Sequence, residues 1–457
     1  MNMTLKNLFA LIDKEIPEEI SSMEFPSHLA TDSRDVKPGD AFVALEGEKT
    51  DGHKFIPQAI SNGAALIIAK AGKEIKASVP VIELENPERD LALLAAKKLR
   101  AHQVNEVIAI TGSVGKTTTR SALQLVLGKK FKLHAPERSF NTLIGCTATI
   151  MAMPLETEIL ILEFGANKPG EISELRDYFP PTMAILTAVA PVHLEGFKDI
   201  EGVLREKLEI INSPVITSIV YNNDNEYLNE AFKYVVKSMG VGENKDADFV
   251  ISHDTSTYRL PELSFVLAHR PTQEIARITA KIWGRHNALP LALAAATGHE
   301  LGMSLQECAD ALGDFHALPG RGRIIIFDES HFLVDDSYNA NPASMSASLE
   351  TFDSVKISGK IAILGEMREL GEDSVKYHAE LEALLEDLEH VIFVGGLWRE
   401  AIPGKANYIF ADTWEEALAE AEKIIELGQD SWHGILVKGS HSIGLENVVK
   451  ALEEKLS

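Results

Sequence analysis

The chain has 457 residues, 45% of them hydrophobic and 25% charged; this is an ordinary globular composition, long enough for about three domains of roughly 150 residues each. Its formal net charge of -24 excludes a broad nucleic-acid or anionic-membrane surface, because phosphate backbones are held by concentrated Lys and Arg. The two cysteines, Cys146 and Cys308, are far apart and in no metal-ligand spacing, so neither a disulfide framework nor a zinc site is indicated and a reducing cytoplasm is expected.

The first twenty residues hold a short apolar run interrupted by Asp13 and Glu15, which predicts an amphipathic helix and not an export signal. No apolar run is long enough to span a bilayer, so no stable membrane insertion is expected. Residues 1–84 carry short apolar runs at 41–45, 65–69 and 79–84, separated by turn clusters such as Lys37-Pro38-Gly39-Asp40, and predict a small α/β domain. From 89 to 101, Leu91, Leu94, Ala95 and Leu99 recur at helical spacing. The run Val107 to Ile110 then enters TGSVGKTT (111–118), a strand, a loop and a helix.

Further runs at 159–162, 183–189 and 215–220 are short, continuous and β-branched, the pattern of strands buried on both faces of a largely parallel sheet. They assign 85–316 to a central α/β domain. Near Ile324 the rhythm restarts, with runs ending in LVDD (336), ILGE (366), FVGG (396) and LVKGS (440), separated by helical stretches such as 377–388. Residues 317–457 are therefore a third α/β unit of Rossmann-like layering. The dinucleotide fingerprint GxGxxG does not occur, so this unit has no sequence claim on a dinucleotide.

TGSVGKTT is a shortened phosphate loop, since Ile110 stands where the full pattern has its first glycine. Gly112 and Gly115 let backbone N–H groups turn inward, with Ser113 and Thr118 in the same loop. Lys116 reaches the β- and γ-phosphates, and Thr117 is a Mg²⁺ ligand. A bare glycine turn with a solvated Lys116 is the plain alternative.

The motifs TDSRDVKPGDAFVALEGEKTDGHKFI (31–56), TGSVGKTTT (111–119), LEFGANKPGEI (162–172), HLEGF (193–197), GRHN (284–287), DDSYNANPASM (335–345) and VKGS (437–440) resemble, in order, those of the Mur ligases of peptidoglycan synthesis. The resemblance implies a UDP-substrate domain at 1–84, an ATP-binding domain of P-loop type at 85–316 and a C-terminal ligase domain at 317–457. GANKPGEI with DDSYNANPASM is similar to the member that joins D-alanyl-D-alanine to UDP-N-acetylmuramoyl-tripeptide. ATP would phosphorylate the peptide carboxylate and the incoming amine would attack the acyl phosphate. A carboxylate and a triphosphate repel each other, so this chemistry calls for cations where they meet.

Site roles follow from the same resemblance. Glu163, His193 and Lys207 would join Thr117 around two Mg²⁺ ions, with Lys207 carbamylated. Read from the residues alone, Glu163 is also a strand-end acid open to an ion pair, His193 a hydrogen-bonded structural histidine and Lys207 a surface lysine. Carbamylation needs a neutral amine, hence burial or nearby positive charge. Asn287 would contact adenine, with a helix N-cap as its plainer role. Arg321 or Arg323 would reach the phosphates, and Asp336, or less directly Asp335, the ribose.

Ser33 and Arg34 fall in the segment similar to the family's UDP-binding region, and Asn141 and Thr142 in its muramoyl-contacting stretch. Tyr338, Asn339, Asn341 and Ser344 belong to the segment characteristic of the dipeptide-adding member, although Ser and Asn are also ordinary turn residues. The chain departs from the family at Thr147, Glu366 and His441, where Pro, Asp and a basic residue are usual. A cytoplasmic monomer without nucleic-acid partners is expected. The alternatives are a sister ligase that adds a single amino acid, which would usually carry a DNPR-like motif absent here, and a non-catalytic ATP-binding scaffold.

Overall fold

The computed structural model describes residues 4–47, 50–102, 104–253, 262–427 and 432–457; Glu48 and Lys49 of the 31–56 motif lie outside them. Three sheets follow one another along the chain. The first is β1 (Leu29–Ala30), β2 (Ala41–Val43), β3 (Leu66–Lys70) and β4 (Val81–Leu84), all parallel and in sequential order. Helix Pro87–His102 follows, its 16 residues ending in Arg100 and His102, cations suited to the negative end of the helix dipole. It buries Leu91, Leu94, Ala95 and Leu99, the stripe that its spacing predicted.

The central sheet has nine strands: β5 (Glu106–Thr111), β6 (Leu133–His134), β7 (Ile159–Glu163), β8 (Met183–Leu186), β9 (Ser218–Asn222), β10 (Ser238–Gly242), β11 (Phe249–His253), β12 (Leu263–His269) and β13 (Glu274–Ala280). Their order is β13-β12-β11-β10-β9-β8-β5-β7-β6. The strands from β6 to β11 are parallel neighbours, and β11-β12-β13 are antiparallel. Side-chain alternation in β5 and β7 explains why these strands are apolar throughout. Ile108, Ile110, Ile159 and Ile161 enter the core beneath helices Lys116–Gly128 and Ala288–Glu300. Val107, Ala109, Leu160 and Leu162 enter the core shared with helices Pro87–His102 and Leu143–Ala152.

The third sheet comprises β14 (Arg323–Ile326), β15 (Phe332–Asp336), β16 (Lys360–Gly365), β17 (His390–Val394), β18 (Tyr408–Ala411) and β19 (Gly434–Lys438). Its order is β14-β15-β19-β16-β17-β18, parallel except for the antiparallel edge strand β14. Helices cover both faces, giving two cores. Among the described residues no helix is long and apolar enough to cross a membrane.

The α/β class and three-sheet layering match the sequence expectation, and four details differ. The run at 183–189 is a strand only to Leu186, because the chain then turns toward the phosphate loop, with Thr187 Oγ1 donating to the carbonyls of Thr111 and Val114. Val215 precedes β9 and is exposed. The stretch 377–388 breaks into helix Ser374–Ala379 and a 3₁₀ turn Glu382–Leu385. Strands β10 to β13 went unread; β12 alternates buried and half-buried positions, the mark of an antiparallel strand with one face packed.

Trp283 leaves the central unit after β13 and joins the third. Its ring is fully buried, 6.4 Å from Phe332 and 6.1 Å from Phe352, and its backbone N–H donates to the Gly322 carbonyl. Trp283→Ala should destabilise this junction by about 3–5 kcal/mol, the usual cost of deleting a buried large aromatic. Urea unfolding followed by circular dichroism measures it; a loss below about 1 kcal/mol would show that Trp283 does not tie the two units together.

Candidate functional site

β5 delivers the phosphate loop to the C-terminal edge of the central sheet, where ligands of open α/β sheets bind. Gly112 has φ 145° and Gly115 φ 83°, the latter immediately before helix Lys116–Gly128. A Cβ on Gly112 would lie 2.1 Å from Thr187 Oγ1 and 2.9 Å from the Ala188 amide nitrogen, so only glycine fits against that strand. Ser113 Oγ donates to the Ala190 carbonyl at 3.0 Å and its N–H to the Ala188 carbonyl at 2.8 Å, pinning the loop to the chain after β8. Lys116 Nζ curls back to the Gly112 carbonyl, and burial lowers its pKa to about 8, partly opposed by Glu163.

Glu163 closes β7 and is fully buried. Its Oε2 accepts from Thr117 Oγ1 at 3.2 Å; its Oε1 accepts no hydrogen bond, although Arg120 Nη1 lies 3.2 Å away. Ser139 Oγ is 3.1 Å from the same Thr117 hydroxyl. A buried carboxylate with an orphaned oxygen beside a hydroxyl suits a hard cation. Among the described residues no three His, Cys, Asp or Glu side chains group to hold a metal, so a cation here also needs hydroxyl, carbamate or phosphate oxygens.

Lys207 lies in helix Ile200–Leu208, 2% exposed. Its amine has no hydrogen-bond or ion-pair partner among the described residues and sits 5.9 Å from the Phe197 ring centroid. Burial, reinforced by Lys116, lowers its pKa to about 7. The neighbouring Glu206 is occupied, accepting from the N–H groups of Gly170 and Ile172. Lys207 is thus a buried amine and not the surface lysine of the plainer reading. His193 stands at φ 51° and its Nδ1 pairs with Glu369 of the third unit, while Leu194 N–H donates to the Glu369 carbonyl at 3.2 Å. Burial holds the His193 pKa below its ordinary value, with Glu369 opposing.

Two cavities meet at the loop. The first, about 450 Å³, is lined by Lys116, Asn141, Thr142, Asn167, His193 and Lys207, among others. The second, about 460 Å³, opens between the central and third units; Thr117, Thr118, Glu163, Asn287, Arg321 and Asp336 line it. Tyr338, Asn339, Asn341 and Ser344 border the second cavity as well. Ser113, Lys116, Asn141, Asn167 and His193 border both.

The structure separates the pairs that the sequence left open. Arg323 is engaged by Glu453 at 2.8 Å and Asp335 at 3.4 Å. Arg321 instead stacks over Tyr338 at 3.9 Å in the second cavity, with no ion pair among the described residues. Asp335 is buried, accepting from Gly320 N–H and Ser337 Oγ. Asp336 lines the cavity, its Oδ2 taking bonds from Lys438 Nζ and Ser348 Oγ while its Oδ1 accepts none among the described residues.

Several residues do structural duty. Asn287 does not cap helix Ala288–Glu300 with its side chain; its Nδ2 donates to the Trp283 carbonyl. Thr142 caps helix Leu143–Ala152, and Asn341 with Ser344 forms the capping box of helix Pro342–Ser354. Ser33 Oγ donates to Gln58, and Arg34 is exposed and paired with Asp32; neither borders the two cavities. Arg120, Ser139, Lys438 and Glu369 were missed. Lys438 stood inside a quoted motif, and Arg120 lies four residues after Lys116 on the same helix, a spacing that shares a face.

Models of three Mur ligase domains match the chain in succession: the family's catalytic domain over residues 27–110, its middle domain over 110–298 and its glutamate ligase domain over 322–441. The UDP-N-acetylmuramoyl-tripeptide--D-alanyl-D-alanine ligase of Rickettsia prowazekii is 31% identical over 94% of this chain and 96% of its own length. The Bacillus subtilis enzyme of the same name is 28% identical over 99% and 98%. Among solved structures, MurF from Acinetobacter baumannii superposes with a TM-score of 0.84 at 27% identity, covering 99% of this chain and 98% of its own. MurF ligase from Thermotoga maritima in complex with ADP gives 0.79 at 28%, covering 94% and 97%.

Gly112→Ala should fold but raise the ATP Kd by roughly 100-fold or more, because its Cβ forces the loop out of register with Thr187. Isothermal titration measures this; unchanged nucleotide affinity would mean that the loop does not hold phosphate.

Proposed function

This chain belongs to the Mur ligase family, and we propose that it is the ATP-dependent ligase that joins D-alanyl-D-alanine to UDP-N-acetylmuramoyl-tripeptide in peptidoglycan synthesis. The observation that carries this reading is the meeting of two cavities at Lys116. One suits a nucleotide, the other a second large substrate, and transfer between them needs both at one point. ATP use is supported by the ADP held by the Thermotoga maritima relative. A carboxylate oxygen of the peptide attacks the γ-phosphorus, ADP leaves, the dipeptide amine attacks the acyl carbon, and phosphate departs with loss of one proton to solvent.

The chain's own groups suit these steps. Lys116 supplies a half-buried cation at the transferred phosphoryl, with the loop amides of Ser113 to Thr118 around it. Arg321 offers a second cation from the third unit, and Arg323, engaged elsewhere, does not. Asp336 accepts from the ribose hydroxyls and Asn287, with His286, borders the adenine. Asn141 and Thr142 face the muramoyl side, while Tyr338, Asn339, Asn341 and Ser344 border the entry of the dipeptide. Ser33 and Arg34 hold the UDP at a distance from the chemistry.

Thr117, Glu163, His193 and Lys207 would hold Mg²⁺, two ions in all, whose chemistry is to neutralise phosphate oxygens during transfer. Lys207 supports carbamylation: a buried amine with a pKa of about 7 and no hydrogen-bond or ion-pair partner among the described residues is substantially neutral at physiological pH. It attacks carbon dioxide through nitrogen, loses a proton to solvent and becomes an anion. The reading divides the chain at 84 and 316 into UDP-substrate, ATP and ligase domains. It takes the enzyme as a cytoplasmic monomer and gives it no nucleic-acid partner.

Purified enzyme offered UDP-N-acetylmuramoyl-tripeptide with D-alanyl-D-alanine should release phosphate, and should not turn over UDP-muramoyl dipeptide with a single amino acid. Turnover with only the latter pair would assign it to a sister ligase. Intact-protein mass measured in bicarbonate should exceed the sequence mass by one carbon dioxide at pH 8. The adduct should disappear below about pH 6.5, as the amine with a pKa of about 7 is protonated, and it should be absent from Lys207→Ala. An unmodified wild-type enzyme at pH 8 would refute the carbamate.

A further inference from the structure

Arg120 is a buried charge beside Glu163 that takes no part in the steps of the reaction. Arg120 follows Lys116 by four residues on helix Lys116–Gly128 and is 3% exposed. Its Nη1 lies 3.2 Å from Glu163 Oε1 and donates to the Arg138 carbonyl, while its Nε has no partner. Among the described residues no other cationic side chain pairs with Glu163; Lys116 is turned to the Gly112 carbonyl. The carboxylate therefore has two different neighbours on its two oxygens, a hydroxyl on Oε2 and a guanidinium on Oε1.

We propose that Arg120 is the resident counter-ion of Glu163: it neutralises the carboxylate when no metal is bound, opposes a divalent cation at the same oxygen, and so limits how tightly the metal is held. It is a positioning residue, and the inference rests on the reading of Glu163 as a metal ligand. A buried carboxylate left unpaired is strongly disfavoured, and Arg120 removes that penalty in the metal-free enzyme. A cation arriving at Oε1 meets the positive charge of the guanidinium at short range, where the interior screens poorly. The Arg138 carbonyl keeps Nη1 hydrogen-bonded when the carboxylate is taken, so Arg120 can yield without becoming an orphan itself. Arg138 belongs to the loop that carries Asn141 and Thr142, and its side chain reaches Asp35 near the first sheet at 2.6 Å. The same guanidinium thus connects the metal carboxylate to the loop on the peptide side.

The test is Mn²⁺ binding to the full-length enzyme, followed by electron paramagnetic resonance of the free ion, with and without ADP. Arg120→Gln keeps a donor for the Arg138 carbonyl but removes the charge, and should bind Mn²⁺ on the order of tenfold more tightly than wild type. Arg120→Lys keeps the charge and should stay near wild type; Glu163→Gln should lose the site. General damage to the fold does not produce a gain in affinity, and Arg120→Met carries the same expectation if the Gln variant does not fold. Unchanged or weaker Mn²⁺ binding in the neutral variants, with binding lost in Glu163→Gln, overturns the counter-ion role alone. Wild-type binding retained in Glu163→Gln overturns the metal reading of Glu163 and this proposal with it.

Discussion

The site is organised by the placement of like charges that must approach one another in a space with little water. A triphosphate and a carboxylate repel, and the chain answers with cations near the C-terminal edge of the central sheet: half-buried Lys116 and buried Arg120, both on helix Lys116–Gly128. Such groups are costly to bury singly. They are tolerable because each is tied to a carbonyl, a carboxylate or the field of its neighbours, as Lys116 is to Gly112 and Glu163. Cations gathered at one point of a chain with net charge -24 favour the approach of polyanionic substrates there.

The same constraint explains the division of labour between units. The central unit supplies the loop and Glu163 from the C-terminal edge of its sheet and Lys207 from helix Ile200–Leu208, while Arg321, Asp336 and Lys438 arrive from the third unit. The contacts that join them are few and specific: Trp283 in the third unit's core, and Glu369 against His193 and Leu194. The cavity between the central and third units depends on the relative position of two separately folded sheets.

Much of the fold was legible because buried parallel strands announce themselves as continuous β-branched runs ending at turn-forming residues, as in VIAI before TGSVGKTT and ILIL before Glu163. Strands β10 to β13 were not legible: β12 (LSFVLAH) alternates buried and half-buried positions without a matching alternation of polarity, and β10 carries two glycines in five positions. The loop and its helix could be read from local pattern, since glycine conformation and helix N-termini are local properties. Arg120, Ser139 and Glu369 could not, because their importance comes from tertiary neighbours at Glu163, Thr117 and His193. The difference between Arg321 and Arg323 is equally non-local, since Glu453 at the far end of the chain engages Arg323. Asn341 and Ser344 form a helix cap and also border the second cavity, since loop polar residues commonly serve the backbone whatever else they do.

The central claim is that ATP is spent on activating a carboxylate. The most direct measurement places heavy oxygen in the terminal carboxylate of UDP-N-acetylmuramoyl-tripeptide and follows the label through one turnover with ATP and D-alanyl-D-alanine. The account predicts one labelled oxygen in the released inorganic phosphate for each amide bond formed. Amide formation with unlabelled phosphate would contradict it, since the carboxylate oxygen would then never have been bonded to phosphorus.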